Sequence, residues 1–181
     1  MQDSVAIQIL WVASGVTTLV AALLVGRKPE VRYLARAAVG LLFLVGGALL
    51  HVVNLATDLD YADFADPAHF AWVTDTWREA VGPNQLLYIG LLVAFETTVG
   101  VLALVGGRAT AAAYAGIIAF YLALCLFGWI EVVWAVLMVP AMVLLLRAEL
   151  RAERAPRSPV APPPATRADV HGSTAAAARR A

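Results

Sequence analysis

The chain has 181 residues and a formal net charge of zero; 61% of its residues are hydrophobic and 14% are charged, with a mean hydropathy of +0.78. This composition is too apolar for a soluble domain and predicts an integral membrane protein that contacts the lipid bilayer and has no nucleic-acid partner. Its one cysteine, Cys125, excludes an internal disulfide and a cysteine-based zinc or redox pair, and the sequence predicts no metal site.

The apolar runs predict an all-α fold, a polytopic membrane helix bundle over residues 1–146 with five transmembrane helices. A membrane-spanning helix needs about 20 residues. We place the predicted spans at about 5–25, 35–56, 85–107, 109–128 and 131–146. The last two divide a long apolar run where a glycine, an interfacial tryptophan and a charged residue coincide.

The first two predicted spans differ in character. No Lys or Arg precedes the first, and its 21 residues exceed the apolar core of a usual secretory signal, so we expect it to be a retained helix. On the second span, Gly40, Gly47, His51 and Asn54 follow one another at intervals of seven, four and three residues. These intervals put the four residues on one helix face, which should point into the bundle.

The connection between the second and third spans, residues 57–84, contains six acidic residues and one arginine. Within this outer loop we predict a short helix that starts at Pro67, is capped by Asp66 and ends at Gly82. Its two tryptophans and its apolar face predict that it lies in the membrane interface and covers the bundle.

The third predicted span, residues 85–107, carries a carboxyl group, Glu96, near its middle. A charged side chain at this depth costs roughly 2.5–3.5 kcal/mol on insertion scales, so Glu96 should face protein or trapped water. Gly100, Ala103 and Gly107 follow Glu96 at helical intervals. This stripe of small residues allows another helix to approach closely.

The fourth predicted span also has a small-residue face, which includes Gly116. After the fifth span, residues 147–181 are rich in Arg, Ala and Pro and contain no aromatic residue. Such a segment has little to fold around, so we predict a cytoplasmic tail that is disordered beyond its first helical turns.

The basic residues predict the orientation in the membrane. With five spans, 12 of the 13 Lys and Arg residues lie on one side, and only Arg78 lies on the other. Short cytoplasmic loops collect basic residues. The N-terminus is therefore predicted outside the cell and the C-terminus in the cytoplasm, with the acidic loop facing the exterior.

Four polar side chains make up a candidate intramembrane polar site in the outer half of the bundle: Glu96, His51, Asn54 and Tyr88. Glu96 has two interpretations, a protonated group that hydrogen-bonds between helices or an acid that works in function. His51 and Asn54 could simply reach a carbonyl group or interfacial water. Haem ligation is disfavoured because the predicted spans contain no second histidine.

Two glycine-containing segments, residues 36–47 and 95–108, resemble the first two helices of the DoxX-like family of small four-helix bacterial membrane proteins. The resemblance covers about residues 35–146 and leaves the first helix as an addition to a four-helix core. It implies a bacterial inner-membrane protein that accompanies redox systems, with membrane or redox proteins as partners. Glu96 and the glycines are the residues to which the resemblance applies, and a quinone is the cofactor it suggests.

Three functions follow from these observations. The preferred one is a DoxX-like membrane subunit of a redox system, with a quinone as the suggested cofactor, and not a self-contained enzyme. The first alternative is a small permease or proton-linked carrier that uses Glu96. The second is a membrane enzyme that acts on a lipid-like substrate through His51 and Glu96.

Overall fold

A computed structural model describes residues 2–155, and within that range every regular element is helical. The helices are α1 (Gln2–Leu24), α2 (Val31–Phe43), α3 (Leu50–Ala56), α4 (Ala71–Thr76), α5 (Gln85–Val105), α6 (Gly107–Leu124) and α7 (Trp129–Arg154).

Irregular helical turns join several of these helices into longer units. A π-helical turn, Leu44–Leu49, connects α2 to α3, so that the chain is helical from Val31 to Ala56. A second π turn, Trp77–Val81, and a 3₁₀ turn, Gly82–Asn84, connect α4 to α5.

Four helical units are long and apolar enough to cross a membrane: Val31–Ala56, Ala71–Val105, Gly107–Leu124 and Trp129–Arg154. The apolar helix Ile9–Leu24, which is part of α1, is shorter than these four. The structure therefore confirms an all-helical protein with several helices that can span a bilayer.

The core lies where α2, α5, α6 and α7 meet, and α1 packs against its side. Val39, Ile117, Met138 and Met142 are completely buried in this core. The α1 helix contacts both α2 and α7, and its Trp11 stacks on Trp134 of α7 with ring centroids 4.2 Å apart. The first helix is thus an integral part of the bundle.

Glycines allow the central helices to approach each other closely. A Cβ atom added at Gly40 would lie 2.7 Å from Leu104, and one added at Gly100 would lie 2.7 Å from Leu44. Ala103 is fully buried, and Gly116 is in ordinary contact distance of a neighbouring side chain. Because lipid tails are as apolar as leucine, such close packing is a main source of helix association in a membrane.

Gly107 has a different position from the one predicted. The α5 helix ends at Val105, and Gly107 begins α6 with a φ of +61°, a conformation that favours glycine. The side chain of Thr110 stabilises this tight turn, because its hydroxyl accepts a hydrogen bond from the Gly106 N–H at 2.8 Å and donates to Ala103. Gly107 therefore forms part of the turn between α5 and α6, and a Cβ atom added there would lie 3.0 Å from Oε1 of Glu153 on α7.

The outer loop differs from the predicted helix over residues 67–81. The α4 helix begins only at Ala71, because Phe70 before it has an extended backbone. Asp66 pairs with Arg78 at 2.9 Å and is not the N-cap of α4, whose N-cap residue is Phe70. The helical conformation continues through Gly82 and Pro83 as the 3₁₀ turn Gly82–Asn84. Proline is tolerated at this position because it lies in the first turn of a helical segment.

The end of α7 lies beyond the predicted boundary at residue 146. The helix continues through Pro140 and on to Arg154, where it forms the first turns of the predicted tail. The predicted disorder of the remaining tail concerns residues 156–181, which lie outside the described residues.

The close contact at Gly100 leads to a prediction about stability. Gly100→Leu should unfold at a lower temperature in detergent than the parent protein, because its side chain would meet Leu44. Gly90→Leu on the same helix is the matched control, since a Cβ atom there would have no neighbour within 4 Å. Equal losses of thermal stability for the two variants would contradict this account of the helix contact.

Candidate functional site

Glu96 lies on α5 with only 5% of its surface exposed, and its carboxyl group rests directly on the backbone of Gly47. A Cβ atom added at Gly47 would lie 2.6 Å from Oε1 and 2.9 Å from Oε2 of Glu96. Any side chain at this position would overlap the carboxyl group. The glycine is therefore what makes room for a carboxyl group inside the bundle.

Gly47 belongs to the π-helical turn Leu44–Leu49. The neighbouring residue, Gly46, contacts a second helix, α1. A Cβ atom added at Gly46 would lie 2.8 Å from the Trp11 ring of α1. The two adjacent glycines thus accommodate α5 on one side and α1 on the other. Single π turns within α-helices are often found at functional sites.

One turn beyond Gly47, the imidazole ring of His51 lies between Glu96 and the outer loop. Its Nε2 is 3.8 Å from Oε1 of Glu96, which is within ion-pair range but too long for a hydrogen bond. Its Nδ1 is 2.9 Å from the hydroxyl group of Tyr61. His51 therefore connects the buried acid with a phenol outside the spans.

The hydrogen bonds to Tyr61 favour one tautomer of the imidazole. The Asn54 amide donates to the Tyr61 oxygen at 3.2 Å, which leaves the phenol proton available for Nδ1 of His51. With Nδ1 as the acceptor, the ring proton of a neutral imidazole is on Nε2. That proton faces Glu96.

A chain reversal and three hydrogen bonds fix Tyr61 above His51. The chain reverses after α3 at Asp58, whose φ of 55° is left-handed, and the Leu59 N–H donates back to the Asn54 carbonyl at 2.9 Å. The Tyr61 N–H then donates to the side chain of Gln85 at 3.2 Å, and its carbonyl accepts from the Trp77 indole at 2.7 Å.

Tyr61 is a neutral hydrogen-bonding group near neutral pH. Only 6% of its surface is exposed. Burial raises the pKa of the Tyr61 phenol above its ordinary value, because a phenolate would lose its hydration. Its proton is therefore retained and available to His51.

One oxygen of Glu96 has no hydrogen-bond partner. Oε2 is buried, and no group between residues 2 and 155 donates to it. An isolated carboxylate at such a position would be costly, whereas a neutral acid or a pair with a protonated His51 avoids the uncompensated charge. The site can thus hold its proton on either Glu96 or His51.

The structure brings three of the four predicted polar residues together. Glu96, His51 and Asn54 share one cluster, whereas Tyr88 lies outside it with 40% of its surface exposed. Tyr61 completes the cluster but was not among the predicted residues. Its position follows from the chain reversal at Asp58, and no periodicity in the loop indicates it.

The candidate cluster is not arranged to bind a metal ion. Across the described part of the chain, no group of three or more His, Cys, Asp or Glu side chains is close enough to hold one. What the cluster offers is a carboxyl, an imidazole and a phenol in sequence. Such groups can accept and donate protons in turn.

Comparisons with protein-family models, with characterised proteins and with solved structures find no match. The resemblance to the DoxX-like family therefore depends on the glycine and glutamate pattern alone.

The contact between Glu96 and Gly47 gives a second prediction. Gly47→Ala should lower the thermal stability in detergent, although alanine is a better helix former by roughly 1 kcal/mol, because its methyl group would overlap the carboxyl group. Gly90→Ala, where there is open space, should be neutral or stabilising.

A second substitution tests the cause of this loss. Glu96→Asp withdraws the carboxyl group by one methylene, so the double variant Gly47→Ala/Glu96→Asp should lose less stability than the sum of the two single variants. Purely additive losses in thermal denaturation would argue against a direct contact between these two residues.

Proposed function

We propose that this protein is a DoxX-like membrane subunit of a redox system and that Glu96, His51 and Tyr61 form a proton relay within it. The observation that supports this function is the succession of carboxyl, imidazole and phenol from inside the bundle to the outer loop, with 3.8 Å between carboxyl and imidazole and a hydrogen bond between imidazole and phenol. Intramembrane ionisable groups commonly mark proton relays. The resemblance to the family suggests the redox partner.

A quinone is the cofactor that the family resemblance suggests for this cluster. A quinone takes up two protons when it is reduced by two electrons. Glu96 would contribute the hydrogen-bonding group, because its Oε2 is buried and free of partners among residues 2–155. His51 would return a proton to Glu96 from the loop side, while Tyr61 and Asn54 orient the imidazole ring.

The relay reaches only one end of the bundle, which favours this function over a proton-linked carrier. All residues of α2 and the π turn between Arg36 and Gly47 are apolar, a distance of about 16 Å along a helix. The buried face of α5 on the same side of Glu96 is apolar as well, with Val99, Gly100 and Ala103. A carrier needs access from both ends, whereas a protonation site needs it from one.

We also propose that α1 is a fifth span, that the N-terminus is outside and that the C-terminus is in the cytoplasm of a bacterial cell. The contacts of Trp11 within the bundle support the fifth span. The orientation is supported by Arg32, Arg36 and Arg108, which gather at one end of the bundle. The acidic loop with α4 lies at the other end, where the exposed ring of Trp72 suits the membrane interface.

The relay can be tested with conservative variants. Glu96→Gln keeps the shape of the side chain but cannot ionise, so it should fold normally and lower proton-linked quinone reduction by roughly 10²-fold or more. Tyr61→Phe should also reduce the rate, because it removes the hydrogen bond to His51. Tyr88→Phe makes the same chemical change outside the cluster and should leave the rate unchanged.

The measurement is the rate of quinone reduction in membranes of cells that lack the native gene and express each variant at equal levels. Thermal denaturation in detergent separates loss of activity from loss of folding. A Glu96→Gln protein with full activity would show that the carboxyl group has only a structural role.

The orientation is tested by labelling from outside the cell. In a Cys125→Ser background, a cysteine at residue 2 should react with a membrane-impermeant maleimide in intact cells. A cysteine at residue 173 should react only after permeabilisation. Labelling of both positions from the same side of intact cells would rule out a model with five spans.

A further inference from the structure

A basic pocket of about 440 Å³ opens at the end of the bundle opposite His51, and the proton relay does not use it. Its walls come from α2, from the start of α6 and from the end of α7. The charged residues of this pocket are Arg32, Arg36, Arg108, Glu149 and Glu153.

One of the three arginines is paired with a carboxylate of the protein. The guanidinium group of Arg36 binds both carboxylate oxygens of Glu149, with Nε at 2.9 Å from Oε1. Glu149 is itself 1% exposed. This bidentate ion pair connects α2 to α7 and forms the floor of the pocket.

The other two arginines have unused hydrogen-bonding capacity. Within residues 2–155, neither Arg32 nor Arg108 lies within 4 Å of a carboxylate oxygen. The Nε of Arg32 is buried without a hydrogen-bond partner, although its Nη2 donates to Tyr33 at 2.9 Å. A buried donor without a partner costs free energy.

The backbone adds a second feature that favours an anion. The pocket includes Gly107 and Arg108, the first two residues of the 18-residue helix α6. The first N–H groups of an α-helix have no partner within the helix and carry a partial positive charge. Arginine side chains and the N–H groups of a helix N-terminus are a combination that proteins use for phosphate. The Glu153 carboxylate lies beside this helix start, with its Oε1 3.0 Å from the position of a Cβ atom added at Gly107.

We propose that the basic pocket binds a phosphate group, either the phosphodiester headgroup of an anionic lipid or a free phosphate ion. Three arginines and two glutamates give the pocket one net positive charge, which matches the single charge of a phosphodiester. Its volume lies within the range of small-molecule sites, about 300–1,000 Å³. Arg32 and Arg108 bind the phosphate oxygens, and Arg36 remains paired with Glu149.

The test uses the full-length protein, delipidated in detergent, and the variants Arg32→Gln and Arg108→Gln. Native mass spectrometry gives the affinity for phosphatidylglycerol and for phosphatidylcholine, and thermal shifts are measured with inorganic phosphate. Each variant should weaken phosphatidylglycerol binding by about tenfold, since it removes one charge-assisted hydrogen bond. Arg78→Gln removes an exposed arginine from the other end and should have no effect.

The outcomes distinguish the source of the phosphate. Tight binding of phosphatidylglycerol that inorganic phosphate does not displace identifies a lipid headgroup. Stabilisation by inorganic phosphate that is lost in both variants identifies a free ion. If Arg32→Gln and Arg108→Gln bind both ligands as the Arg78→Gln control does, the proposal is wrong.

Lysine substitutions keep the test valid if a glutamine variant fails to fold. Arg32→Lys and Arg108→Lys retain the charge but lose the planar fork of donors. They should therefore bind phosphatidylglycerol more weakly than the parent protein at equal thermal stability. Parent-like affinity in both lysine variants and in any folded glutamine variant would overturn the proposal.

Discussion

The contact between the carboxyl group of Glu96 and the backbone of Gly47 is the constraint on which the candidate site depends. In a bilayer, a polar group must find its partners within the protein, because the surrounding lipid offers none. Gly47 gives the carboxyl group space without offering it a hydrogen bond. His51 lies within ion-pair range of this carboxyl group and can share its proton, and the distance of 3.8 Å leaves that contact loose.

Among residues 2–155, two carboxyl groups are buried, and their partners differ in chemistry. Glu149 is bound by Arg36, whose guanidinium group is always charged, so the ion pair keeps one protonation state. Glu96 faces an imidazole, a group that can both accept and donate a proton. Only the pair of Glu96 and His51 can pass a proton from one partner to the other without leaving an unpaired buried charge.

Helical periodicity could predict the inward faces but not the contacts between distant segments. The intervals that relate Gly47, His51 and Asn54 are local to one helix, so their common face is visible in the sequence. Tyr88 was predicted from its depth alone, and depth does not determine the direction of a side chain. The contact between Tyr61 and His51 depends on a chain reversal in an irregular loop. The partner of Arg36, Glu149, lies 113 positions away in the sequence.

The N-terminal helix α1 contacts the part of the structure that surrounds the site, although it lies outside the predicted four-helix core. Trp11 occupies the space beside Gly46 and stacks on Trp134 of α7, while Glu96 occupies the space beside the next residue, Gly47. Both contacts fall on the same π-helical turn, which is therefore held between α1 and α5. Because close-packed helices transmit displacements, a shift of α1 would move the turn against the carboxyl group. The first helix is thus a part of the structure that holds the Glu96 carboxyl group in place.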